Sequence, residues 1–191
     1  MDFAYNDEQK EIIKVVRDLV EKEIVPYAAE MDETGKLHEG LLEKLAAQGL
    51  LGVAIPEEFG GAGLDAITIA AIYEELGKGC AGVATTVAAN ALASYPVIIA
   101  GNDDQKKRYF DIINDDNLAA FALTEPGTGS DAGSVSTRAM KTEDGKGYIL
   151  NGTKCFITNG ALAEVFVVFA NTRKSGGIRG LTAFIVRKGT P

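Results

Sequence analysis

Tyr109-Phe110-Asp111-Ile112-Ile113-Asn114-Asp115-Asp116-Asn117-Leu118-Ala119-Ala120-Phe121-Ala122-Leu123 is where the chain changes its period. Before Asn117 the pattern is helical, with Tyr109, Ile112 and Ile113 inward. After it the period moves toward two and β-formers dominate. The stretch divides the 191 residues into a helical part, 1–117, and a β part, 118–191. Helices in a run, followed by strands in a run, make an α+β protein rather than an alternating α/β one.

Upstream, Asn6 with Gln9 three residues on spells a capping box. Ile12, Val16, Leu19, Val20 and Ile24 fall on one face of the helix it opens, and Pro26 bends or resets that helix. A second helix holds Leu41, Leu42 and Leu45, with Gly49 at its exit. Residues 50–63 contain Pro56 and the glycines Gly52, Gly60, Gly61 and Gly63, so they form a long shaped loop. Asp65 caps a third helix, with Ile69, Ile72, Tyr73 and Leu76 on one side. A small-residue helix follows over 82–100, and Asn102 or Asp103 caps the last, with Lys106, Lys107 and Arg108 exposed. The apolar-looking stretch 82–101 contains Thr85, Thr86, Asn90, Ser94, Tyr95 and Pro96, which reads as a buried helix and not a membrane span.

Downstream, strands are predicted at 118–123, 134–140, 148–150, 154–157, 164–170 and 181–187. Asn151-Gly152, between Tyr148-Ile149-Leu150 and Thr153-Lys154-Cys155, predicts a tight hairpin. The expected sheet is antiparallel and barrel-like, and it looks unfinished at Thr190-Pro191.

The net charge of −8 argues against nucleic acid or an anionic membrane surface as the main partner. Cys80 and Cys155 read as two buried thiols in a reducing cytoplasm, without zinc-type spacing. The acidic start Met1-Asp2-Phe3 fits neither a signal nor a transit peptide. His38 is the only histidine and reads as a surface residue, which leaves no setting for a Ser/His/Asp triad.

Two stretches could carry chemistry. In Phe121-Ala122-Leu123-Thr124-Glu125-Pro126-Gly127-Thr128-Gly129-Ser130-Asp131 a strand runs into a turn rich in glycine and hydroxyls. Such a turn lets backbone N–H groups approach a phosphate or a ring oxygen, with Thr124, Thr128 and Ser130 as added donors. Taken alone it is also, and more simply, a decorated β-turn. The spacing is off by one for a dinucleotide fingerprint, the next element reads as strand, and no Walker lysine follows. In Asn151-Gly152-Thr153-Lys154-Cys155-Phe156-Ile157-Thr158-Asn159-Gly160, Phe156 and Thr158 would share one face of a strand. An aromatic plate beside a hydroxyl suits a flat heteroaromatic ligand, although a core Phe beside a surface Thr fits the same spacing.

Together, and in this order, the two stretches resemble the signature segments of the acyl-CoA dehydrogenase family. Pro56-Glu57-Glu58-Phe59-Gly60-Gly61 is similar to the family's early loop, and Ala100-Gly101-Asn102-Asp103-Asp104-Gln105-Lys106-Lys107-Arg108-Tyr109 resembles the helix before its β domain. The resemblance covers essentially the whole chain. It implies an N-terminal helical domain and a middle β domain, truncated before a C-terminal helical bundle, with FAD as cofactor. It implies α,β-dehydrogenation of acyl-CoA thioesters in fatty acid metabolism. Electrons would leave to an electron-transfer flavoprotein, and the full-length form would be a homo-oligomer. Carried over by position, Phe121, Leu123 and Thr124 would line the flavin, and Ser130 would lie near both the FAD pyrophosphate and the acyl-CoA. Phe156, where tryptophan is often found, would cover a flavin face, and Thr158 would bond near N5. Asn90, Ser94 and Tyr95 would wall the acyl chain. The family's catalytic glutamate falls beyond this chain. Glu57, Glu58, Glu74, Glu75 and Glu125 read as surface, capping or loop carboxylates, so no catalytic residue and no metal ligand is expected here. The competing expectations are an acyl-CoA oxidase or related flavin monooxygenase, and a non-enzymatic acyl-thioester-binding fragment.

Overall fold

Three helix starts are closed by the side chains expected there. Asn6 and Gln9 form a reciprocal capping box on α1 (Asp7–Leu19), and Asn102 and Gln105 form another on α6 (Asp103–Asn114). Asp65 accepts from the Ile67 and Thr68 N–H groups at the start of α4 (Ala66–Gly79). These contacts are local, so the sequence determines them directly. A computed structural model describes residues 4–173 and 176–191, and the reading of Met1–Phe3 lies outside the described residues.

α1 passes into a π turn, Val20–Ile24, and then into a 3-10 turn, Val25–Tyr27, that contains Pro26. A short α2 (Ala28–Thr34) and α3 (Leu41–Ala47) follow. The glycine-rich stretch is two 3-10 turns, Leu50–Gly52 and Glu57–Phe59. The small-residue helix is α5 (Ala81–Ala100). By length and composition it could cross a membrane, but half of that window is buried here, with Val83, Val87, Ala93 and Val97 in the core.

The sheet contains β1 (Ala119–Ala122), β2 (Arg138–Lys141), β3 (Tyr148–Asn151), β4 (Val165–Asn171) and β5 (Leu181–Arg187). It is mixed, which corrects the antiparallel expectation. β1 runs parallel to β4 in the register Ala119↔Val165, and β2 joins β4 in parallel at Arg138↔Asn171. The β2–β3 and β4–β5 pairs are antiparallel. Both parts share one core: Val83, Val87, Tyr109, Phe110 and Ile113 of the helices belong to the same cluster as Leu118, Ala120, Val165 and Val167.

Two further expectations fail. Residues 154–157 are not a strand, and Asn151-Gly152 is not a hairpin turn. The β2–β3 turn spans 142–147 instead, with Gly145 at φ 68°. Gly152 is needed for space: a Cβ there would meet Thr137 Oγ1 at 2.3 Å and Thr137 Cα at 2.7 Å.

Candidate functional site

Glu125 organises the two segments that carry the family resemblance. It is buried, with only 2% of its side chain exposed. Its carboxylate accepts from the N–H and hydroxyl groups of both Ser136 and Thr137, and from Lys154 Nζ at 2.9 Å. Burial alone would push this carboxyl up. Hydrogen bonds from Ser136, Thr137 and Lys154 outweigh that and hold it well below the usual carboxylate range. The sequence reading of Glu125 as a surface, capping or loop carboxylate is therefore corrected: it is the buried clamp of the turn. Lys154 Nζ also donates to the Leu123 carbonyl at 2.8 Å, and the Cys155 N–H donates to the Thr124 carbonyl at 3.0 Å. With Gly152 pressed on Thr137, these bonds hold the 152–160 loop alongside the end of β1.

Phe156 and Thr158 stand on that loop, not on a strand. Both are exposed, while Ile157 between them packs against the core. Phe156 is 92% exposed and has φ 55°, a left-handed backbone that costs a non-glycine residue about 1–2 kcal/mol. Strained backbone of this kind clusters at functional sites. The Thr158 hydroxyl bonds nothing among the described residues. Asn159 anchors the loop from behind, its amide donating to the carbonyls of Thr86 on α5 and Ala119 on β1.

Of the other expected cofactor contacts, Leu123 and Thr124 are tied directly to that loop. Phe121 is half-buried against Phe169, with ring centroids 4.9 Å apart. Leu123 and Thr124 are half-buried at the end of β1, their carbonyls taken by Lys154 and Cys155. Ser130 is exposed and its hydroxyl has no partner among the described residues. Thr128, read as a donor, is buried and donates to the Ser134 carbonyl, so it serves the turn.

Asn90 and Ser94 do different work from the acyl wall expected of them. Asn90 is 0% exposed; its amide donates to the Leu51 and Asn117 carbonyls and accepts from the Ala119 N–H. Ser94 is buried and donates to the Asn90 carbonyl. Tyr95, 42% exposed, belongs to the open face of α5 with Thr85, Leu92 and Ile99. The signal that finds this face is helical spacing: Leu92, Tyr95 and Ile99 are separated by three and four. Burial pushes the nearby Tyr73 hydroxyl up to about 12, with Tyr95 adding to the effect. Cys80 and Cys155 are free and half-buried rather than buried. Among the described residues no group of three or more His, Cys, Asp or Glu could hold a metal ion.

Comparison with known proteins gives the same order of parts. Residues 6–114 match the family model "Acyl-CoA dehydrogenase, N-terminal domain", and residues 120–191 match "Acyl-CoA dehydrogenase, middle domain". An acyl-CoA dehydrogenase of Bacillus subtilis is 41% identical over 186 residues, covering 96% of this chain and 48% of the relative. The butyryl-CoA dehydrogenase structure from Megasphaera elsdenii superposes with a TM-score of 0.90 at 40% identity, covering 100% of this chain and 51% of that one. A Bacillus anthracis acyl-CoA dehydrogenase complexed with FAD gives a TM-score of 0.84 at 38% identity, covering 97% of this chain and 31% of that one. The chain spans about half the length of the curated relatives it matches. Matched helices, matched sheet and the two loops held together by Glu125 and Lys154 make this chain a member of the acyl-CoA dehydrogenase family.

Proposed function

We propose that this chain supplies the flavin- and substrate-binding surfaces of an FAD-dependent enzyme that dehydrogenates acyl-CoA thioesters between the α and β carbons. The observation that carries this reading is Phe156, exposed at 92% and held at φ 55° beside the unpartnered Thr158 hydroxyl. An isoalloxazine fits that pair: the ring covers apolar surface and the hydroxyl meets its polar edge. Phe156 would cover one flavin face, Thr158 would donate near N5, and Phe121, Leu123 and Thr124 would border the ring. Ser130 would reach the phosphate side. FAD, when bound, supplies the acceptor for the β hydrogen as hydride.

The chain's own residues position rather than abstract. Glu125 is held ionised by five hydrogen-bond donors, and Glu75 is held low by Arg17 and Lys78 despite its burial. Neither is poised to take a proton near neutral pH. The α proton is therefore assigned to a carboxylate of the C-terminal helical domain that the family resemblance implies. The acyl chain would lie along the open face of α5, with Tyr95 and Leu92 setting its reach.

Transfer of electrons to an electron-transfer flavoprotein, a role in fatty acid metabolism, a homo-oligomeric full-length form and a cytoplasmic setting complete the reading. The two free thiols support that last point. The test is the absorbance spectrum of the complete polypeptide before and after adding acyl-CoAs of graded length. A bound oxidised flavin that bleaches with acyl-CoA is expected; a colourless protein, or one whose spectrum ignores every acyl-CoA, contradicts it. The 191-residue chain alone should bind FAD weakly and turn over no acyl-CoA.

A further inference from the structure

Asparagine side chains hold the Ala119 backbone from both sides. Asn90 of α5 accepts from the Ala119 N–H at 2.8 Å, and Asn159 of the 152–160 loop donates to the Ala119 carbonyl at 3.1 Å. The Asn159 amide nitrogen also donates to the Thr86 carbonyl at 2.9 Å. An amide nitrogen carries two donors, so both are spent. Thr86 and Asn90 lie four apart on α5, one turn along the same face. Asn159 thereby ties its loop to β1 and to α5 at once, on the stretch of α5 that already holds β1. Its own carbonyl accepts from the Leu162 and Ala163 N–H groups at 2.9 and 2.8 Å, which fixes the exit of the loop.

The backbone at this position also favours asparagine. Asn159 has φ 63°, in the left-handed region that asparagine enters more readily than most other side chains. Within residues 155–160, Asn159 is the one side chain that hydrogen-bonds outside the segment, among the described residues. The other polar tie at this end of the chain segment is the Cys155 N–H on the Thr124 carbonyl. Phe156 and Thr158 make no hydrogen bond among the described residues. Their places are therefore set by Cys155 on one side, by Ile157 packed on the core between them, and by Asn159 on the other side. Thr158 is the direct neighbour of Asn159, so release of the Asn159 amide frees Thr158 first.

We propose that Asn159 is a positioning residue for the flavin, whose two bonds to α5 and β1 set the place of the Thr158 hydroxyl and the Phe156 ring without contact with the flavin itself. The inference rests on the flavoenzyme reading. Asn159→Gly removes the amide and keeps a left-handed backbone at no steric cost. Asn159→Asp keeps the shape of the side chain and turns a carboxylate toward two carbonyl oxygens. Either variant that folds carries the test. Asn90→Ala is the matched comparison: it releases the same Ala119 together with the Leu51 and Asn117 carbonyls, but from α5 rather than from the loop. Three readings are taken on the complete polypeptide. They are the FAD affinity of the apoprotein by fluorescence quenching, the visible circular dichroism of the bound flavin, and kcat and KM with the acyl-CoA that bleaches the flavin fastest.

Loss of the two bonds that hold the loop should weaken FAD binding about tenfold. A small displacement of the groups around a reacting centre costs up to about a hundredfold in rate, so kcat should fall about tenfold to a hundredfold while KM stays within about twofold. The visible dichroism should change as well, because it reports the surroundings of the ring. Asn90→Ala should melt lower than the unaltered protein and leave the dichroism and kcat as they were. Unaltered dichroism, FAD affinity and kcat in the Asn159 variants overturn the role. An equal change from Asn90→Ala also overturns it, because general loosening around Ala119 would then be the cause. If the unaltered protein binds no FAD, the flavoenzyme reading fails and takes this inference with it; where FAD binds the unaltered protein, a negative result falls on Asn159 alone.

Discussion

Replacing Lys154 by methionine keeps the length of the side chain and removes the ammonium that joins Glu125 to the Leu123 carbonyl. The pair is well buried, with 13% of the Lys154 side chain and 2% of the Glu125 side chain exposed. Removing one partner of a buried pair costs about 3–5 kcal/mol. Glu125 keeps its four bonds from Ser136 and Thr137, so the cost should fall at the lower end, about 3 kcal/mol. Urea unfolding followed by circular dichroism should show a midpoint lowered by about 1–3 M, for a slope of about 1–3 kcal/mol/M. The pH dependence gives a second reading. The folded Glu125 carboxyl lies below its ordinary value, so its contribution is present above that value and is lost as pH falls toward the folded one. Without Lys154 the folded value moves back toward the ordinary one, so the acid-dependent loss from this carboxyl should be smaller and complete at higher pH. Lys154→Arg should recover part of the loss. A midpoint for Lys154→Met within about 0.5 kcal/mol of the unaltered protein, the range of ordinary surface changes, would refute the clamp.

Asn90→Ala should destabilise by about 2–3 kcal/mol, because buried backbone groups of Leu51, Asn117 and Ala119 lose their partner; chain-length preference in the complete enzyme should stay as it was, and a changed preference would return Asn90 to the acyl wall. Gly152→Ala should cost about 1–3 kcal/mol by driving a Cβ into Thr137, read as a lowered melting temperature; an unchanged one would mean the loop is not pressed there. Glu75 is held down to about 2, chiefly by hydrogen bonding from Arg17. Stability from that group is present above the ordinary carboxylate value and lost as pH falls through about 2, so Glu75→Gln should flatten acid unfolding below pH 4.5. An unchanged acid profile would exclude the α1–α4 ion pair as its source.

What the sequence made legible is what neighbouring residues decide. Asn6 with Gln9, Asn102 with Gln105, and Asp65 are caps whose partners lie within three residues. The switch near Asn117 was legible for the same reason, since period is a local property. The site's frame was not. Glu125 reads as loop decoration until Ser136, Thr137 and Lys154, 11, 12 and 29 residues away, are brought to it. Gly152 looked like a turn former because Asn-Gly favours hairpins, yet its constraint comes from Thr137 on another segment. Parallel pairing of β1 with β4 also escaped, because alternation within a strand carries no information about its partner. Asn90 illustrates the opposite error. An amide on a small-residue helix looked available to a ligand, and three backbone groups had already claimed it.

In the proposed function the end of β1 and the 152–160 loop form one ledge for a flavin ring. A crystal structure of the complete polypeptide loaded with FAD tests it most directly. The ring should lie against Phe156, with the Thr158 hydroxyl in hydrogen-bond reach of its edge and Thr124 beside it. A ring bound elsewhere, leaving Phe156 and Thr158 untouched, would contradict the claim.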